Sequence, residues 1–188
     1  MIRPLLTLAL ALATSGGARA QASAVLLPAQ SEIAFVSTQM GVPVDGQFGK
    51  FEAQIALDPK HPEAGRVTLT IDTASATLGV PETDAELPKP QWFGSAKFPQ
   101  ASFRSSAIKG LGGGRFEVAG TLTVKGSAQP VVVPVQLAQS AGTSIASGSL
   151  TIKRLAFKIG EAEWADTSLV ADDVLVRFRL TLTGLAPL

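Results

Sequence analysis

The sequence contains no cysteine and only one histidine among its 188 residues. The absence of cysteine excludes disulfide bonds, thiol nucleophiles and thiolate metal sites. The single histidine, His61, lies in the polar turn KHPEAG and has no second imidazole with which to share a metal ion. Because a catalytic histidine needs an orienting partner, we interpret His61 as a surface turn residue. We therefore expect no metal site.

Several enzyme and nucleotide motifs are also missing. No G-x-S-x-G motif is present, so the serines give no sign of a hydrolase nucleophile. The glycine-rich stretch GLGGG at 110–114 lacks the Gly-Lys-Ser/Thr ending of a phosphate-binding loop, so we interpret it as a hairpin turn. Lysine and arginine form no cluster that would attract nucleic acid. We predict no catalytic residues, no cofactor and no nucleic-acid partner.

Long apolar runs are absent except near the N-terminus. MIRPLLTLALALATSGGARA combines a basic start, an apolar run from Leu5 to Ala13 and a small-x-small ending, which is the order of a secretory signal. The run is shorter than the roughly 20 residues that span a bilayer. We expect residues 1–20 to be a signal peptide, residues 21–188 to be one exported domain in the periplasm, and no stable membrane insertion.

Loss of residues 1–20 would change the balance of charge. The whole chain carries 16 Lys and Arg against 15 Asp and Glu, a formal net charge of +1. Removing Arg3 and Arg19 leaves 14 basic residues against 15 acidic ones, so the net charge becomes −1. A nearly neutral domain offers no electrostatic footprint for an anionic surface.

Strict alternation of apolar and polar residues dominates the remaining chain. FEAQIAL places Phe51 and Ile55 on one face, and DVLVRFRLTLTG does the same for Val176 and Phe178. Such alternation indicates antiparallel strands with one solvated face. About eight such runs, separated by Gly- and Pro-rich turns, predict an all-β sandwich or an up-and-down barrel. Pro134, in the middle of a run, favours a sheet edge or a bulge at that position.

Arg154 follows Leu150 and Ile152 on the apolar face of its strand, so alternation directs it towards the interior. A buried arginine needs an anion or equivalent partners. The candidates are an internal ion pair with Asp84, Asp173 or Asp72, or a contact with the headgroup of a ligand.

Two groups of acidic residues are also candidates for either a functional or a structural role. Glu82, Asp84 and Glu86 precede a Pro-Lys-Pro break, and Glu161, Glu163 and Asp166 lie in GEAEWAD. Paired carboxylates serve acid–base chemistry or bind calcium. The alternative is solvated loop charge, with Asp84 capping a short helix.

Several segments together resemble the YceI-like family of exported lipid-binding proteins. The most specific are TDAELPKPQWFGSAKFPQASF, GTLTVKG at 120–126, and Arg154 with Phe157. The order of matching segments covers nearly the whole expected domain. The chain departs from the family pattern at Gln39-Met40-Gly41, where a His often precedes the Gly, and at Ala156-Phe157-Lys158, where Asp-Phe-Gly is common.

The resemblance implies an eight-stranded antiparallel lipocalin-like barrel, with one or two short helices, that encloses a polyisoprenoid lipid. We expect non-covalent carriage or storage of a quinone or polyprenyl lipid rather than catalysis. The alternatives are an enzyme that modifies such a lipid and a structural or stress-related protein with a filled barrel. The apolar residues expected around the cavity and its mouth are Ile33, Phe35, Phe51, Ile55, Leu69, Ile71, Trp92, Phe93, Phe98, Phe103, Phe116, Leu122, Leu150, Phe157, Trp164 and Phe178.

Two features of the sequence concern the interior of the barrel: small residues on inner faces, and an aromatic segment that is not a strand. Ala53, Ala146 and Gly148 leave space on inner faces that a sandwich core would fill. We expect the segment from Glu82 onwards to cross one end of the barrel, where its aromatic residues form either a gate for an entering chain or a plug that closes the core.

Overall fold

The computed structural model describes residues 23–188, which are almost entirely β-structure. The expected signal peptide at 1–20 lies outside the described residues. No helix in the described part is long and apolar enough to cross a bilayer. The strands are β1 (Ser23–Leu26), β2 (Glu32–Gln39), β3 (Val42–Phe48), β4 (Phe51–Ala56), β5 (Arg66–Asp72), β6 (Ala76–Thr77), β7 (Gln100–Gly112), β8 (Arg115–Val124), β9 (Ser127–Ser140), β10 (Thr143–Lys153) and β11 (Val170–Thr183).

One short helix and five single turns of 3₁₀ helix connect these strands. The helix, α1, covers Pro81–Asp84. The 3₁₀ turns cover Pro28–Gln30, Pro62–Ala64, Thr73–Ser75, Arg154–Phe157 and Ala162–Ala165.

These strands form a closed antiparallel barrel with eight positions around its wall. The pairing order is β1-β4-β5-β7-β8-β9-β10-β11, and β1 also pairs with β11, which closes the ring. The first three positions are each interrupted once: β2 continues β1 along β11, β3 leads into β4, and β6 continues β5 along β3. The expected eight-stranded barrel with a short helix is confirmed, and the sandwich alternative is wrong because no pair of free sheet edges separates two layers.

Hairpin turns with glycine at the second position connect several neighbours. The turns Met40-Gly41, Lys125-Gly126 and Ala141-Gly142 all have positive φ at both residues. This geometry matches the twist of the strands, and glycine adopts it without a steric cost. The pairing of Gly112 with Arg115 and of Val124 with Ser127 shows that the stretch at 110–114 and the turn at 125–126 close hairpins, as predicted.

The barrel wall has a seam between β9 and β10. In the described residues, these strands are paired only over 135–140 and 143–148, although both continue further. Ser140 and Thr143 flank a two-residue turn and form a hydrogen-bonded pair. Every second residue of β9 counted back from Ser140, including Gln136, therefore forms backbone hydrogen bonds with β10. Pro134 is the next such position and has no N–H to donate. The ladder ends there, which confirms the predicted sheet edge at Pro134.

Amide hydrogen exchange can detect this seam directly. Alternation directs the N–H groups of Thr151 and Lys153 towards the seam beyond the last paired residues, where they have no ladder partner on β9, so we expect their exchange to be fast. Ile145 and Ser147 lie within the ladder and should be protected, and Leu150, which faces β11, is the internal control. Protection of Thr151 and Lys153 equal to that of Ser147 would show that the seam is closed in solution.

Candidate functional site

A cavity of about 330 Å³ occupies the barrel interior. Its wall consists almost entirely of the apolar side chains that alternation directs inwards from β2 to β5 and from β7 to β11. Most of the predicted apolar residues line it, namely Ile33, Phe35, Ile55, Leu69, Ile71, Trp92, Phe93, Phe103, Phe116, Leu122, Leu150, Trp164 and Phe178. The structure therefore brings residues from distant parts of the chain around one apolar lumen.

Three of the predicted apolar residues lie elsewhere. Phe51 is half-buried against the core without lining the lumen. Phe98 packs beneath the β8–β9 turn, where a Cβ atom added to Gly126 would lie 2.9 Å from its Cε1. Phe157 lies in the 3₁₀ turn Arg154–Phe157 and is buried in the hydrophobic core without lining the lumen. The last two were placed in the cavity by sequence position alone, because neither lies in a strand whose alternation shows its direction.

Polar side chains reach the cavity mainly at one end. Ser37 and Gln39 continue the inner face of β2, and Thr83 and Glu86 approach from the segment around α1. Ser37 and Gln39 follow the alternation that begins at Ile33, so the sequence pattern could have identified them as inward-facing residues. Thr83 and Glu86 lie in an irregular segment without a periodic pattern, so alternation could not have identified them. This polar end forms the mouth of the cavity.

The segment 78–98 covers the mouth and is held on the barrel by aromatic packing. The ring centroids of Phe93 and Phe48 lie 5.7 Å apart, and those of Phe48 and Phe35 lie 5.3 Å apart. Trp92 packs against Trp164 with a centroid separation of 5.4 Å. Phe93 is buried, whereas Trp92 is only half-buried. One residue thus belongs to the core, and its neighbour lies at the edge of the opening.

Arg154 is almost completely buried, with 1% of its surface exposed, and all its N–H directions are used. Nε donates to Ala171 O at 3.0 Å. Nη1 donates to Ile159 O at 2.8 Å and Gly160 O at 3.1 Å. Nη2 donates to Trp164 O at 2.7 Å and Val170 O at 2.6 Å. The guanidinium therefore holds the whole 159–171 segment around itself.

None of the carboxylates considered for Arg154 forms an ion pair with it in the described residues. Asp173 pairs with Lys153 at 2.6 Å, Asp84 accepts hydrogen bonds from Thr77 Oγ1 and Leu78 N, and Asp72 accepts one from Ala74 N. The predicted direction of Arg154 is right, but backbone carbonyls satisfy it instead of a carboxylate. Burial lowers the pKa of Arg154, and the nearby Asp172 carboxylate acts in the opposite direction.

A second buried cation, Lys125, joins the covering segment to the loop around Arg154. Its Nζ donates to Pro90 O at 2.5 Å, to Lys158 O at 2.7 Å and to Glu161 Oε2 at 2.8 Å. Only 6% of its side chain is exposed. The sequence pattern does not distinguish Lys125, because a lysine in a Lys-Gly turn normally points into solvent.

The two acidic groups are not assembled into one site. Glu161 pairs with Lys125, Asp166 Oδ1 accepts hydrogen bonds from Ser168 N and Oγ, and Glu86 pairs with Lys89 at 2.5 Å. The hydrogen bond from Lys125 lowers the pKa of Glu161. Within residues 23–188, no three His, Asp or Glu side chains converge in a way that would hold a metal ion.

Comparison with known proteins places this architecture among relatives. The profile of the YceI-like domain matches residues 25–182. A UPF0312 protein of Azotobacter vinelandii is 30% identical over 135 residues, which are 70% of this chain and 70% of that protein. Alignments with further curated relatives span 63% and 48% of those proteins.

Solved structures show the same fold. The crystal structure of Burkholderia cenocepacia BcnA is 44% identical, with a TM-score of 0.81 over 84% of this chain and 99% of that one. A structure described as a polyisoprenoid binding domain from Saccharophagus degradans, implicated in plant cell wall breakdown, is 21% identical with a TM-score of 0.70. It covers 88% of this chain and 99% of its own.

Replacing Arg154 by Met should destabilise the protein strongly. The change leaves buried carbonyl oxygens without donors, and each such group costs about 1–3 kcal/mol, so we expect a loss of at least about 3 kcal/mol in urea unfolding. The control is Arg179→Met at an exposed position of β11, where we expect a change within about 0.5 kcal/mol. Equal stability of the two variants would contradict a structural role for Arg154.

The Lys125–Glu161 pair should make stability sensitive to acid. Because the pKa of Glu161 is lower in the folded than in the unfolded chain, the pair stabilises the fold above the unfolded pKa of about 4.3. That contribution is lost as the pH falls through the folded pKa. We expect Glu161→Gln to show a smaller drop in Tm than the wild type between pH 7 and pH 3. An identical drop in both proteins would show that the pair is not coupled to folding.

Proposed function

We propose, since the chain belongs to the family of YceI-like domains, that it binds a polyisoprenoid lipid such as a quinone or polyprenyl lipid non-covalently inside its barrel. The observation that carries this proposal is the apolar lumen, whose polar side chains lie mainly at the mouth. Such a site suits a long hydrocarbon tail with a polar head at one end.

The size of the lumen favours a slender ligand. About 330 Å³ lies at the lower end of the range of roughly 300–1,000 Å³ for small-molecule sites. Each buried methylene contributes about 0.8 kcal/mol, so the tail supplies most of the binding free energy. The head would lie near Ser37, Gln39, Thr83 and Glu86, where it meets polar groups. We assign no headgroup role to Arg154, because carbonyl oxygens already accept from its donors.

Relatives support binding rather than catalysis. The Saccharophagus degradans neighbour is described as a polyisoprenoid binding domain, and it covers most of this chain. Two of the acidic side chains that could have served an isoprenoid-modifying enzyme, Glu161 and Asp166, are engaged in structural contacts. The lumen argues against a filled barrel. We propose that the protein carries or stores the lipid in the periplasm, to which the signal-like residues 1–20 would direct it.

Native mass spectrometry of the protein purified from its own cell envelope tests this proposal. We expect a bound lipid of unaltered mass. The variant Ala53→Phe places a ring in the lumen and should reduce the bound fraction severalfold while the fold persists, whereas Gln54→Leu on the outer face of β4 should not. A lipid of altered mass would indicate catalysis. Protein without lipid that takes up no polyprenyl lipid in vitro would contradict the proposal.

Alanine substitutions at Trp92 and Phe93 should show whether the covering segment is a gate for an entering lipid or a plug that closes the core. Phe93 is buried against Phe48, so Phe93→Ala should cost about 3 kcal/mol or more in urea unfolding. Trp92→Ala removes a half-buried ring and should cost no more than about 1.5 kcal/mol. We expect Trp92→Ala to weaken polyprenyl-lipid binding despite this small loss. Binding that falls only in proportion to stability in both variants would instead identify a plug.

A further inference from the structure

Three exposed apolar residues form a patch at the end of the barrel that carries the mouth. Met40 is 77% exposed, Val42 62% and Leu169 40%, and we call these three residues the rim patch. The backbone N–H of Met40 donates to Leu169 O at 2.8 Å, which holds the β2–β3 turn beside the segment that leads into β11. Two parts of the chain distant in sequence therefore contribute to one apolar surface.

The rim patch is continuous with the lumen. Val42 lies opposite Gln39 in the β2–β3 ladder, so the two residues share a face, and Gln39 lines the cavity. Leu169 directly precedes Val170, which also lines the cavity and pairs with Gln39. A hydrocarbon chain that leaves the lumen beside Gln39 would reach the rim patch next.

The backbone of the β2–β3 turn does not explain its methionine. Met40 has a φ of 48° and Gly41 a φ of 81°. At the first position of such a turn, asparagine or glycine is favoured because a bulkier side chain is strained there. An exposed apolar side chain held in this conformation indicates a role for the side chain itself.

The charges around the rim patch indicate the kind of surface that it meets. Neither 32–49 nor 159–176, the segments that carry the patch, contains a lysine or arginine. Of the acids in these segments, Asp45 pairs with Arg177 at 3.1 Å and Glu161 with Lys125 at 2.8 Å, whereas Glu163 and Asp166 form no ion pair in the described residues. The hydrogen bonds from Ser168 lower the pKa of Asp166, which therefore stays ionised. Glu163 and Asp166 repel an anionic surface and complement the ammonium groups of ethanolamine or choline headgroups.

We propose that the rim patch docks the mouth of the barrel onto the surface of a zwitterionic lipid bilayer. Docking there would let an isoprenoid tail pass between the bilayer and the lumen without crossing water, a consequence that rests on the function proposed above. Burial of apolar side chains supplies the attraction, so docking should depend little on salt or on anionic lipid.

Vesicle flotation with matched variants tests the docking. The variant pair Met40→Asn and Val42→Thr removes apolar surface while it retains residues suited to the turn and the strand. The controls Val25→Thr and Val132→Thr change valines of similar exposure, 59% and 55%, outside the rim patch. The vesicles contain phosphatidylcholine and phosphatidylethanolamine, with or without phosphatidylglycerol, at low and high salt.

We expect the wild type and both controls to float with zwitterionic vesicles at either salt concentration, and the double variant to partition about tenfold less. The proposal is overturned if the wild type does not bind or if the double variant binds equally. Binding that requires phosphatidylglycerol and disappears in high salt would also overturn it. So would self-association of the wild type through the patch without vesicle binding.

A separate uptake measurement keeps the two proposals distinguishable. Polyprenyl lipid presented in detergent micelles bypasses the bilayer, so the wild type and the double variant should take it up equally. If neither protein takes up the lipid, the proposed function fails, but the flotation result still decides the docking. If only the double variant fails, the rim patch belongs to the lipid site and the docking proposal is overturned.

Discussion

The architecture of the mouth depends on one guanidinium group. Arg154 donates to five backbone carbonyl oxygens between Ile159 and Ala171, which turns an otherwise irregular segment into a fixed part of the barrel end. That segment positions Trp164 against Trp92 and ends where β11 begins. Lys125 adds a second buried cation that bonds to Pro90 O and to Lys158 O. Two cations satisfied largely by carbonyl oxygens therefore hold together the two segments that define the opening.

The result is a barrel whose end is covered by packed segments and whose interior is hollow. Aromatic contacts from Phe35 through Phe48 to Phe93 connect the wall to the covering segment. The lumen below remains unfilled because inward positions such as Ala53 and Ala146 carry small side chains. Apolar burial favours a hydrocarbon occupant, and the polar groups at the mouth favour a head that stays outside. Of the two charged side chains that line the lumen, Glu86 lies at the mouth and Arg154 is satisfied by carbonyl oxygens, so apolar contacts hold the tail and the polar mouth orients the head.

Much of the fold was predictable from period-two alternation, because each side chain in a strand has one of only two directions. That rule identified the inward faces of β2, β4 and β8 and most of the cavity wall, and Pro134 marked the end of a ladder. It also gave the correct direction for Arg154. The partners of Arg154 were not predictable, because they are backbone carbonyls of a loop that has no periodic pattern.

The same limit explains the other differences between sequence and structure. Phe98 and Phe157 lie in turns, so their apolar character alone did not show where each side chain packs. Lys125 resembles any lysine in a hairpin turn until the loop at 158–161 and the covering segment are placed around it. Non-local contacts thus determine the structure of the mouth. The proposed ligand head and the rim patch lie at the same end of the barrel.

The most direct test of a hollow, lipid-binding barrel is diffraction from crystals of the protein loaded with a polyprenyl lipid. We expect continuous electron density for the tail along the lumen, between Phe35 and Phe178, with the head beside Gln39 and Glu86. Density confined to the outer surface, or a lumen closed by rearranged side chains, would contradict it.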